Sequence, residues 1–119
     1  MGMRRVLSGA TALIFLVAVL SVPVVRSVAL AAGNKHVSEA VEHAKEAVDH
    51  GKKGHADVLV KHAQEALKHA EMGQKDAKNP HLTEGIKGLK EAVEHGKAGH
   101  ADVATEAAEN AVMHMSEVK

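Results

Sequence analysis

A histidine returns on a seven-residue beat throughout this chain: His36, His43, His50; then His55, His62, His69; then His81 and His95; then His100 and His114. These are all ten of its histidines. An α-helix turns once in about 3.6 residues, so a seven-residue period returns to nearly the same face and each run becomes a ridge of imidazoles along one helix. Imidazole is the commonest transition-metal ligand among side chains, and a ridge of them points toward metal chemistry.

The beat is embedded in a duplication. A shift of 45 residues lays His50-Gly51-Lys52-Lys53-Gly54-His55-Ala56-Asp57-Val58 on His95-Gly96-Lys97-Ala98-Gly99-His100-Ala101-Asp102-Val103. Apolar residues keep a helical period beside the histidines, as in Val37, Ala40, Val41, Ala44, Ala47 and Val48, a stripe wide enough for a helix in a bundle. Gly-x-x-Gly at 51–54 and 96–99 interrupts the period and marks short connections. Asn34 and Asn79 stand where N-caps belong, with Pro80 at a first helical position. The spacing predicts helices over 35–50, 55–71, 80–95 and 100–116. The fold class is all-α: an antiparallel up-down four-helix bundle made of two duplicated helical hairpins, at 35–72 and 80–117, joined by a linker at 73–79. Gly85 and Gly88 are expected to weaken the third helix by up to about 1 kcal/mol each relative to alanine. Modest stability without a ligand follows, with a disordered amphipathic metal-free chain as the alternative.

The first residues are of another kind. Arg4 and Arg5 precede an apolar run from Val6 to Val25, closed by Ala29, Leu30, Ala31 and Ala32. This order reads as a secretory signal over 1–31, leaving a four-helix metal-binding domain over 32–119 in the periplasm; retention as a membrane anchor is the alternative. Pro23 and Arg26 favour cleavage. The mature part has about 88 residues, enough for one domain with a thin core. With no cysteine in the chain, neither disulfides nor thiolate ligands are available in that oxidising compartment, so a metal must be held by nitrogen and oxygen. Losing Arg4, Arg5 and Arg26 leaves 12 basic against 15 acidic residues, a balance that gives no support to nucleic-acid binding. Phe15, the only aromatic residue, lies in the signal, so the domain has no stacking platform for bases. C-x-x-C-H is absent, which argues against attached haem. No H-E-x-x-H motif or recognisable nucleophile occurs, so an enzyme is not expected.

Seven residues along a helix span about 10.5 Å, too far for one ion with bonds of about 2 Å to bridge two histidines of one ridge. Each site must recruit across the hairpin. In a symmetric antiparallel hairpin, facing residues have numbers of constant sum: 105 around the first loop, pairing His50 with His55, His43 with His62 and His36 with His69. Around the second the sum is 195, pairing His95 with His100, Gly88 with Ala107 and His81 with His114. Carboxylates supply a second donor type: Glu39, Glu46, Glu65 and Glu91 each stand four residues before a histidine, a step that either chelates or merely stabilises the helix. Two imidazoles, one or two carboxylates and water suit Cu(II) and Ni(II), accept Zn(II), and lack the soft sulfur that Cu(I) prefers. Met113 and Met115 flank His114 and offer a thioether, but Met115 falls on the apolar stripe and is expected in the core.

With the signal and the duplication, the repeats EAVEHAKEAVDHGKKGHAD and KEAVEHGKAGHAD resemble those of the small metal-binding protein family of periplasmic bacterial proteins, over nearly the whole mature chain from His36 to His114. The resemblance implies a monomeric four-helix bundle that binds several divalent ions, copper foremost with nickel and zinc accepted, for buffering or scavenging. The family's repeated histidine carries over to all ten positions; the chain departs from it at Gly88 and Ala107, which removes a middle layer from the second hairpin. Other readings are a copper metallochaperone serving a partner and a pH-responsive helical interaction protein.

Overall fold

The computed structural model describes residues 35–119, so the segment expected to be a secretory signal and Asn34 lie outside the described residues. These residues form four helices and no strand: α1 Lys35–Lys52, α2 Ala56–Asp76, α3 Pro80–Lys97 and α4 Ala101–Ser116. Consecutive helices pack on one another and α1 closes against α4, giving the four-helix bundle that the heptads predict. Among the described residues no helix is long and apolar enough to cross a membrane.

Both hairpin turns are built by the same backbone device. Gly54 and Gly99 take the left-handed φ of 80° and 82° that glycine adopts without a Cβ penalty. His55 N–H donates to His50 O at 2.9 Å and Gly54 N–H to Gly51 O at 2.9 Å, with His100 to His95 (2.9 Å) and Gly99 to Gly96 (3.0 Å) repeating the pattern. This paired closure satisfies the last carbonyls of the helix and returns the chain at once. It also bonds the last histidine of one ridge to the first of the next. At α3 the expected cap is present: Asn79 Oδ1 accepts from His81 N–H at 2.8 Å and Pro80 opens the helix.

One helix end differs from expectation. α2 continues through Asp76, leaving only 77–79 as the connection. Gly73 stays helical because it is a contact point: a Cβ there would lie 3.1 Å from Val37 Cγ2 and 3.5 Å from Leu82 Cδ2. The turn beyond is clamped by Gln74, whose side chain accepts from Asn79 N–H at 3.1 Å and donates to Thr83 Oγ1 at 2.6 Å.

The core is lean. Ala40, Ala44 and Ala47 of α1, Ala63, Ala66 and Ala70 of α2, and Ala104, Ala108 and Ala111 of α4 are fully buried. Leu59, Leu82, Leu89 and Met115 are the largest fully buried side chains, each stabilising by about 1.5–3 kcal/mol. Met115 is thus in the core, as its stripe position predicts, while Met113 is exposed. Glycines admit the closest approaches. Gly51 of α1 lies against Thr105 of α4, and its counterpart Gly96 of α3 against Val60 of α2, two contacts related by the duplication. Thr105, buried in this contact, satisfies its hydroxyl by donating to Ala101 O at 2.6 Å. Gly88, expected only to weaken α3, faces the α4 backbone so closely that a Cβ would meet Ala107 O at 3.1 Å and Ala111 N at 3.3 Å. At the surface, Lys52 Nζ pairs with Glu109 Oε1 at 2.9 Å, and this hydrogen bond and charge raise the lysine's pKa.

Candidate metal centre

The hairpin geometry brings the first three histidine pairs face to face. Ring centroids are 6.0 Å apart for His36–His69, 6.0 Å for His43–His62 and 5.9 Å for His50–His55, as the constant-sum rule predicts. Diagonal neighbours are closer: His43–His69 at 5.6 Å and His50–His62 at 5.4 Å, both within 5° of parallel. Side chains on a helix lean toward its N-terminus, so in an antiparallel pair those of α1 lean away from the loop and those of α2 toward it. Imidazoles from the two helices therefore interleave into one file: His36, His69, His43, His62, His50, His55.

The same lean decides which carboxylates join. Glu39 and Glu46 stand one turn loopward of His36 and His43, where the α2 imidazoles lean. Glu39 Oε2 lies 2.9 Å from His69 Nδ1, and Glu46 Oε2 lies 2.8 Å from His62 Nδ1 and 3.7 Å from His43 Nδ1. Two groups result, His36–Glu39–His69 and His43–Glu46–His62, each offering three donor atoms within 4.8 Å of one another. Each comprises two nitrogens and one oxygen drawn from two helices, which leaves further coordination positions for water. Each of these two carboxylates thus groups with the histidine three residues before it and with one from the facing helix: Glu39 with His36 and His69, Glu46 with His43 and His62.

The first hairpin also carries unsatisfied nitrogen. The Nδ1 atoms of His36, His43, His50 and His69 are buried and form no hydrogen bond. For His69 the carboxylate at 2.9 Å is near enough but misaligned for N–H donation, so the short contact does not satisfy the ring. Buried polar atoms are costly when unpaired, and several in one file call for a partner that the protein itself does not provide. A cation between ring nitrogens and a carboxylate meets that need, and the donor set fits a divalent transition metal.

The remaining candidates are placed differently. Glu65 of α2 lies 3.5 Å from Lys68 Nζ, on the helix surface, and Glu91 of α3 is exposed; neither joins a three-residue group. His50 and His55 face each other at the loop without a carboxylate, Lys53 standing three residues after His50. In the second hairpin His95–His100 rings are 6.2 Å apart and His81–His114 rings 6.1 Å. Between these two pairs Gly88 and Ala107 adjoin, so the missing histidine layer is filled by close helix contact.

Comparison with known proteins agrees with this chemistry. No curated protein matches the chain. A family model described as small metal-binding protein matches residues 5–118, through both hairpins and every histidine. The chain belongs to the small metal-binding protein family.

Proposed function

We propose that the protein is a multisite binder of divalent transition metals, copper first and nickel and zinc also, that buffers, scavenges or stores these ions in the periplasm. The observation that carries this is the pair of His–Glu–His groups set in a file of imidazoles with buried, unpartnered ring nitrogens. The nitrogen and carboxylate donors favour Cu(II) and Ni(II), and Zn(II) accepts the same set. Repetition of similar sites serves capacity, not a single reactive centre, and supports a role without catalysis. The site residues are the ten histidines with Glu39 and Glu46; Glu65 and Glu91 have weaker claims because they stand apart from both groups. The periplasmic address rests on the basic, apolar and small-residue order of the first 31 residues, and a monomer on the resemblance to the family.

Calorimetric titration of the purified metal-free protein with Cu(II), Ni(II) and Zn(II) at pH 7.5 tests the reading. Several tight equivalents are expected, copper binding most strongly. No binding of any of the three would leave the ridges with a structural role alone and refute it.

A further inference from the structure

Consecutive packing, with α1 closing on α4, arranges the helices as a square, so the α1/α4 groove and the α2/α3 groove lie on opposite faces. The histidine pairs occupy the other two faces, between α1 and α2 and between α3 and α4. A shift of 45 residues carries α1 onto α3 and α2 onto α4, so the two grooves without histidine are counterparts within one chain. Both keep an apolar floor of half-buried side chains packed against the core: Val41 and Val112 in one, Val60 and Ile86 in the other.

Their rims have diverged in charge. The α1/α4 groove is lined by Glu42, Asp49 and Glu109 against Lys45, with Lys52 held on Glu109 at 2.9 Å. The α2/α3 groove is lined by Lys61, Lys75, Lys90 and Lys97 against Asp57 and Glu71. One rim is therefore acidic in balance and the other basic, and all of these charged side chains are exposed. The difference arises at matched positions: Glu42 corresponds to Lys87, Glu106 to Lys61 and Glu109 to Gln64. Glu71 in place of Ser116 runs the other way without reversing the balance. Opposite charge around two similar apolar floors is the arrangement by which surfaces steer toward each other and exclude like copies of themselves.

We propose that these two faces are a docking pair, the basic α2/α3 groove of one copy of this chain seating against the acidic α1/α4 groove of a second copy. Contact between unlike faces on opposite sides of a molecule is head to tail, so it extends as an open row and does not close as a pair. Two helices about 25 Å long present roughly 500 Å² per copy, and a total of about 1,000 Å² marks a weak, reversible contact. The chain is then a monomer when dilute and associates when concentrated. Both histidine faces stay open along the row, so the proposal goes beyond the metal-binding reading and does not depend on it.

Sedimentation velocity of the purified chain with a chelator present, at pH 7.5 and from about 10 µM to about 1 mM protein, tests this. At about 10 mM salt the sedimentation coefficient is expected to rise with concentration, and at about 300 mM salt the association should weaken at least about tenfold. Two charge exchanges locate the contact. Glu42→Lys with Glu106→Lys gives the acidic rim its counterpart's lysines, and Lys61→Glu with Lys87→Glu does the reverse. Each replacement is the residue already present at the matched position, and all four sites are exposed, so the helices should be retained, as circular dichroism would verify. Either variant alone is expected to stay monomeric over the whole range, and an equimolar mixture of the two to associate again. A natural chain that is monomeric at about 1 mM protein in low salt overturns the proposal, whether or not vesicles of acidic phospholipid capture it through the basic face. So does association that neither salt nor the exchanges alter, or a mixture no more associated than its parts. Association that appears only when copper replaces the chelator belongs to the histidine faces and overturns it equally.

Discussion

Replacing Gly88 with alanine sets two physical effects against each other. Helix propensity alone favours alanine in α3 by about 1 kcal/mol. The structure opposes it, because the new Cβ would lie 3.1 Å from Ala107 O, 3.2 Å from Ala111 Cβ and 3.3 Å from Ala111 N. These neighbours are backbone atoms and a rigid methyl, so relief requires α4 to shift by a few tenths of an ångström. Overpacking of this kind costs about 1–3 kcal/mol. The balance is a net loss of about 1 kcal/mol, which in a domain of this size lowers Tm by about 4–8 °C. Thermal unfolding of the metal-free protein, followed by circular dichroism at 222 nm (a general helix wavelength), measures it directly. A rise in Tm would show that α3 and α4 are not in close contact at this layer, and would refute the steric reason for the missing histidine pair. Gly54→Ala is a useful companion: nothing lies within 4 Å of its Cβ position, so any loss there reports the φ of +80° alone.

Other outcomes follow from the same geometry. His43→Ala and His62→Ala, made singly and together, should be strongly non-additive in copper affinity, because either one breaks the same group; simple additivity would separate the two residues. Protons and ions compete for ring nitrogen, so copper affinity at a two-histidine site should fall as the pH is lowered from 7.5 to 5.5. Equal affinities at the two values would exclude imidazole ligation. Ion at a hundred times Kd should stabilise by about 2.7 kcal/mol per site, raising Tm by roughly 10–20 °C. A chelator should reverse the rise, and an unmoved Tm at that loading would mean that the ions do not select the folded bundle.

Much of this arrangement is legible in the sequence because heptads and a symmetric turn are local rules. His43 opposite His62 follows from counting outward from Gly-x-x-Gly, and the rings are indeed 6.0 Å apart. The core position of Met115 follows from its place on the stripe. Carboxylate partners are another matter. Steps of three and four residues both share a helix face, and what selects between them for Glu46 is the imidazole of His62, contributed by a different helix. The end of α2 was hidden for a similar reason: Gly73 reads as a breaker, but its contacts with Val37 and Leu82 make it a packing position. Gly88 likewise reads as a weakness until α4 is placed beside it.

The interleaved file has a consequence for how such a protein would respond to a rising supply of ions. Its two assembled groups are one heptad apart, about 10.5 Å. Two ions, each partly neutralised by its glutamate to a charge near one, repel by about 0.4 kcal/mol in bulk water and about 1.6 kcal/mol at an effective dielectric of 20. The second affinity is thereby about two to fifteen times weaker than the first. Sites of nearly identical composition then fill over a broadened range of free ion, with no difference in ligands needed to grade them. The spacing of one helical repeat thus turns a row of equal ligands into a staggered series of affinities.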